Sequence, residues 1–158
     1  MKDDNRKFWE RIAKIYTIVQ EKGNKQVYQT FCQRLKPFIG QNHNVLELAC
    51  GTGQVTAFLA HCSRNWIATD FSEKMIHEAK IRLDLDNVSF EVQDATNLSY
   101  DNQTFDIVLI ANALHIMPEL QKALKAIKRV LKYDGILIAP TFVYEKGEWH
   151  KQKAIFDL

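Results

Sequence analysis

At 158 residues, with 46% hydrophobic and 25% charged side chains, the chain has the composition of a globular domain with one core, large enough to bury about 70% of its unfolded surface. Twenty-one basic residues against nineteen acidic ones leave a net charge of +2, which is no footprint for a polyanion, so no nucleic-acid partner is expected. No run approaches the roughly 20 apolar residues of a membrane span, the first residues are charged and lack the apolar core of a signal peptide, and Cys32, Cys50 and Cys62 show neither C-x-x-C nor His-rich spacing; the expectation is a cytoplasmic protein without transmembrane segment, disulfide or metal site.

Helical periodicity opens the chain. Residues 7 to 20 place Phe8, Ile12, Ile15, Tyr16 and Val19 on one face, and residues 26 to 38 do the same with Val27, Phe31, Leu35 and Phe38. Gly23-Asn24 separates the two, and Pro37 and Gly40 end the second. Val45 to Gly53, VLELACGTG, then reads as a buried strand, a tight glycine turn and the start of a helix carrying Val55, Phe58, Leu59 and Cys62. Such a turn leaves the first helical amides without backbone partners, which suits an anionic or carboxylate group.

The next strand, Asn65 to Thr69, ends in Asp70, where the winding of an open sheet places an acid to accept from both hydroxyls of a ribose. The competing role for Asp70 is to cap the following helix with Ser72. That helix, Glu73 to Leu83, turns Met75, Ile76, Ala79 and Leu83 inward and leaves His77 in solvent. Val88 to Val92 alternates as a third strand and delivers Asp94-Ala95, where Asp94 could equally be a turn former. Thr104 to Ile110 is the most continuously apolar strand and belongs near the sheet centre; it runs into Ala111-Asn112-Ala113-Leu114-His115. Pro118 should open a helix with Leu120, Leu124, Ile127 and Leu131 buried. Leu131 to Gly135 turns into a fifth strand, Ile136 to Ala139, and Lys146 to Asp157 fits a short terminal helix.

Taken together, the four strand-end segments resemble class I S-adenosylmethionine-dependent methyltransferases, in a methyltransferase type 11-like branch, over residues 8 to about 142. The resemblance implies an α/β fold: a three-layer, Rossmann-like, doubly wound parallel sheet of about five strands in the order 3-2-1-4-5, with two N-terminal helices. It implies a single domain, with residues 1–40 as a helical cover, 44–142 as the cofactor-binding core and 143–158 as a short tail. The implied cofactor is S-adenosyl-L-methionine, leaving as S-adenosyl-L-homocysteine. Glu47 would support the turn and the cofactor's ammonium end, with Ala49, Gly51 and Gly53 in the turn itself. Asp70 would hold the ribose, Phe71 would lie against the adenine, and Asp94 and Ala95 would contact that ring through a carboxylate and an amide. Asn112 would face the methionine end, and Tyr16 would lie over the pocket. Ala49 stands where the family often has a glycine, which costs little if φ there is negative. Thr56 occupies the place of the third glycine in the dinucleotide pattern G-x-G-x-x-G.

His115 is a candidate general base, its ordinary pKa lying near neutrality. The implied acceptor is a small molecule or lipid head group, with the N-terminal helices as its lid. Two other readings stay open: a module that binds the cofactor without turnover, and a nicotinamide-dependent oxidoreductase with Asp70 on the adenosine ribose. Relative to the family, a sixth and a seventh strand are lacking, so the fifth strand becomes an apolar edge. Either the tail folds over that edge or two chains form a homodimer through it.

Overall fold

The computed structural model of the protein describes residues 2–23 and 25–141. The tail and its expected helix, Lys146 to Asp157, lie outside the described residues. Five parallel strands, β1 (Asn44–Leu48), β2 (Asn65–Asp70), β3 (Val88–Val92), β4 (Phe105–Ile110) and β5 (Leu131–Ile138), form one sheet in the order β3-β2-β1-β4-β5. This is the expected order, with β1 in the middle and the winding reversing between β1 and β4. α1 (Lys2–Gly23) and α2 (Lys25–Leu35) precede the sheet; α3 (Gln54–Leu59), α4 (Glu73–Arg82) and α5 (Leu120–Val130) cross between its strands. Among the described residues no helix is long and apolar enough to cross a membrane.

The period-two alternation of β1 explains the three layers. Val45 points with Trp66, Ala68, Ile107 and Leu109 into a core closed by Tyr28, Cys32 and Leu35 of α2 and Val55 and Leu59 of α3. Leu46 and Leu48 point the other way, with Val108 and Ile110, onto Ala126, Ile127 and Val130 of α5. Both faces of β1 and β4 are therefore buried, which is why those strands read as nearly unbroken apolar runs. α1 packs mainly on α4.

Three helices present a face shifted from the one their large apolar residues mark out, keeping Leu35 and Ile127 buried as expected. In α1 the buried positions are Ala13 and Thr17, while Ile15 is exposed. In α2 they are Tyr28, Cys32 and Leu35, while Val27 and Phe38 are exposed, Phe38 lying in a 3-10 turn beyond the helix. In α5 they are Ala123, Ala126, Ile127 and Val130, with Leu120 exposed. In α1 and α5 the reason is steric: small residues, Ala13, Ala123 and Ala126, take the line of closest approach between packed elements. α5 also starts later than expected. Pro118 stands ahead of it, and the carbonyl of Glu119 accepts the first helical bonds from the amides of Lys122 and Ala123.

β5 starts earlier than expected and is irregular. Phe105 pairs with Leu131 but Ile107 pairs with Ile136, so the residues between bulge out and Tyr133 is 99% exposed. The Lys132 ammonium reaches back to Asp106 at 2.6 Å, whose carboxylate also accepts from the Asn44 amide at 2.8 Å. That ammonium, against the opposing effect of burial, holds the Asp106 carboxyl below its usual range.

Candidate active site

A cavity of about 370 Å³ opens beyond the carboxyl ends of β1, β2 and β4, the place the topology reserves for a ligand. Its floor is the turn after β1. The chain makes this turn with Ala49 at φ +53°, Gly51 at +56° and Gly53 at +83°. The turn is closed by bonds from the Cys50 amide to the Thr69 carbonyl at 2.9 Å and from the Gly53 amide to the Cys50 carbonyl at 3.0 Å. Ala49 thus corrects the expectation of a negative φ: it sits in the left-handed region, where a Cβ costs roughly 1–2 kcal/mol. A side chain added at Gly51 would meet the Tyr16 ring at 3.6 Å, on the cavity side. At Gly53 it would meet Leu83 at 2.6 Å, on the α4 side; Gly53 shapes the turn and does not line the cavity.

Two strand-end acids hold this floor. The Asp70 carboxylate accepts from the Gly51 amide at 2.9 Å through Oδ2 and from the Ser72 amide at 2.9 Å through Oδ1, tying the glycine turn to the start of α4. Ser72 caps that helix, its hydroxyl accepting from the Met75 amide at 3.3 Å. Burial pushes the Asp70 carboxyl above its usual range, against the pull of these amides. Asp94 forms an Asx turn, with Oδ1 accepting from the amide and the hydroxyl of Thr96 at 2.8 and 2.7 Å. Both acids, with Phe71 and Ala95, line the cavity. Asn112, at φ +53°, donates its amide to the Pro140 carbonyl at 2.8 Å and lines the wall below β4.

Glu47 is buried in the sheet, 2% exposed, and also lines the cavity. Its Oε2 accepts from the Thr56 hydroxyl at 2.6 Å and from the Trp66 indole N–H at 2.8 Å. Burial raises its pKa to about 7, those two donors working against the rise. Thr56 therefore has a role where a dinucleotide fold would carry glycine.

The roof is aromatic. Tyr16 faces Gly51 as expected and packs edge-to-face on Trp9, ring centroids 5.8 Å apart. Trp9 packs the same way on Phe8 at 5.2 Å, and Tyr28 of α2 completes the lining. At the rim, the Arg6 guanidinium lies 5.6 Å from the centroid of the Phe71 ring, bonded to Glu10 and to Glu73, each at 3.0 Å. Of the expected site residues, Glu47, Ala49, Gly51, Asp70, Phe71, Asp94, Ala95, Asn112 and Tyr16 come together around one cavity. His115 is not brought into this group: it is exposed on a 3-10 turn, Leu114–Ile116, while Ile116, Met117 and Pro118 beside it reach the cavity. Phe8, Trp9 and Tyr28, and the Thr56–Trp66 pair behind Glu47, went unread. The signal for Trp66 was available, since a buried indole N–H needs an acceptor and β2 runs beside the one acid of β1.

Residues 45–135 match the methyltransferase domain family. The demethylmenaquinone methyltransferase of Clavibacter sepedonicus is 37% identical over 122 residues, covering 76% of this chain and 49% of that protein. The malonyl-[acyl-carrier protein] O-methyltransferase of Bacillus anthracis is 31% identical over 132 residues, 82% of this chain and 48% of that one. The chain spans about half the length of these curated relatives. For the fold, a putative S-adenosyl-L-methionine-dependent methyltransferase from Methanococcus maripaludis superposes with a TM-score of 0.76 at 16% identity, over 94% of this chain and 80% of that one. With its five-stranded sheet, its strand-end acids and more than half its length matched, the chain belongs to the methyltransferase domain family, whose members use S-adenosylmethionine.

Proposed function

We propose that the chain binds S-adenosylmethionine in this cavity and that the protein transfers a methyl group to a small-molecule or lipid-type acceptor in the cytoplasm. The observation that carries the reading is the pairing of an acid-bearing floor with an aromatic roof. Glu47, Asp70 and Asp94 can accept from an ammonium, ribose hydroxyls and an adenine amino group, while Phe71 and Tyr16 offer flat apolar contact. This set of acceptors and flat apolar surfaces therefore fits the cofactor. When bound, the cofactor supplies a methyl group on a sulfonium that is already activated for transfer. The chain's own task is to bind and orient it, and to keep water from the reacting centre with Phe8, Trp9 and Tyr28.

Calorimetric titration with S-adenosylhomocysteine, with NAD as control, tests this. Saturable binding of the first alone is expected; binding of NAD, or of neither, overturns the reading. The alternative reading is a module that binds the cofactor without turnover. Methyl transfer from labelled cofactor to quinone-type or acyl acceptors separates the two. The same proposal has two chains pairing along β5, the end strand of the described sheet, where Ile136 and Leu137 are more than a third exposed. Light scattering giving a monomer mass would remove that part alone.

A further inference from the structure

The Thr56–Glu47–Trp66 cluster has a geometry that structural support alone does not require. Two donors from different elements, α3 and β2, converge on one oxygen of a carboxylate buried in the middle strand. Bonds from a hydroxyl at 2.6 Å and an indole N–H at 2.8 Å are stronger to an anion than to a neutral acid. They fix the side chain by Oε2 and leave Oε1 out of both bonds, on a residue that lines the cavity. We infer that Thr56 and Trp66 are positioning residues: they orient Glu47 and favour its ionised form, so that the affinity for a cationic ligand group follows the ionisation of this one carboxyl.

The inference rests on the cofactor reading above, which supplies the cationic group. The other titratable groups coupled electrostatically to Glu47 are Cys32 of α2, Cys50 of the turn and Asp70 of β2, while β4 sets the apolar Leu109 beside it. Burial pushes Cys32 up to about 12 and Cys50 well above its ordinary value, so both remain neutral thiols. Asp70 is the other anion, and its negative charge makes Glu47 harder to ionise. Thr56 and Trp66 oppose that effect directly, and neither bonds to Asp70.

The test follows the Glu47 side-chain carboxyl by carbon NMR in the ligand-free protein, and the affinity for S-adenosylhomocysteine by calorimetry, both from pH 6 to 8.5. Thr56→Val removes a donor with little change in shape, Trp66→Phe removes the other, and Thr56→Ser retains the first. The expected result is a Glu47 midpoint raised by up to about one pH unit in Thr56→Val and Trp66→Phe, a tenfold change in its ionisation. The pH midpoint of binding should move with it, while Thr56→Ser behaves as the parent. Variants that melt earlier but keep the parent midpoints would overturn the inference, since a purely structural pair moves stability and leaves the titration in place. A carboxyl midpoint that moves while no variant, parent included, binds the homocysteine at any pH would overturn the cofactor reading and leave the positioning of Glu47 standing.

Discussion

The floor and the roof of the cavity are built from different forces. The floor is backbone: a turn with three left-handed residues, locked by amides that donate to Asp70 and to carbonyls of its own and the neighbouring strand. Its polar atoms are already oriented before any ligand arrives, and reorienting them would break several bonds at once. The roof is side chain: rings meeting edge-to-face, with an exposed ion pair at the rim. Such contacts are individually weak and tolerate repacking. The difference assigns the parts. On the proposed reading, the cofactor that is common to the family lies on the floor, and the acceptor that varies lies under the roof.

The sharpest way to break this division is Gly51→Val. A β-branched residue at φ +56° with its side chain aimed at the cavity should reduce S-adenosylhomocysteine affinity more than 100-fold, or about 2.7 kcal/mol. Calorimetry beside a circular dichroism spectrum checks that binding, and not the fold, is lost. Next is pH. Glu47 has a folded pKa of about 7 against an ordinary value near 4.3, so between those values the native protein holds a proton that the unfolded chain has released. Stability of the ligand-free protein should fall as pH rises through that window and level off above it, with an amplitude of order 3 kcal/mol. Asp70, raised in the same sense, adds to the slope. Denaturant unfolding at pH 5.5 and pH 8 measures it, and Glu47→Gln should flatten most of the difference.

Asp70→Ala should weaken binding by about 1–3 kcal/mol, because it strands the Gly51 and Ser72 amides as well as removing a ligand contact. A fall in affinity with no fall in melting temperature would show that only the contact mattered. Ala49→Gly should raise stability by about 1 kcal/mol in thermal unfolding, relieving the left-handed alanine. The smallest effect belongs to the roof: Tyr16→Phe, which keeps the ring that faces Gly51, should change homocysteine affinity by no more than about twofold in the same titration.

Most of the floor was legible in the sequence because it depends on residue types with few substitutes. A glycine pair after an apolar strand has little freedom to mean something else, while the acids closing successive strands kept a competing role as cap or turn former. The order of the sheet followed from the same segments. Helix faces were less legible. Hydropathy ranks Ile15, Val27 and Leu120 above Ala13, Cys32 and Ala123, yet packing distance selects the smaller set. The aromatic roof was partly hidden for that reason: Trp9 and Tyr28 lie one position away from the stripes that periodicity selects. Ala49 shows the limit of composition alone, since nothing in an alanine announces its φ. Asp94 carries both of its possible roles at once, an Asx turn and a wall of the cavity.

The contact of Arg6 with Phe71 and Glu73 ties the first helix to the fourth. α1 roofs the cavity, and its exposed pair with α4 is weakened by salt over a Debye length of about 10 Å at 0.1 M. The tie between α1 and α4 is thus one that ions in solution compete for, while the ring contacts of the roof are indifferent to them. Under the proposed function, exchange of spent cofactor for fresh should quicken as ionic strength rises.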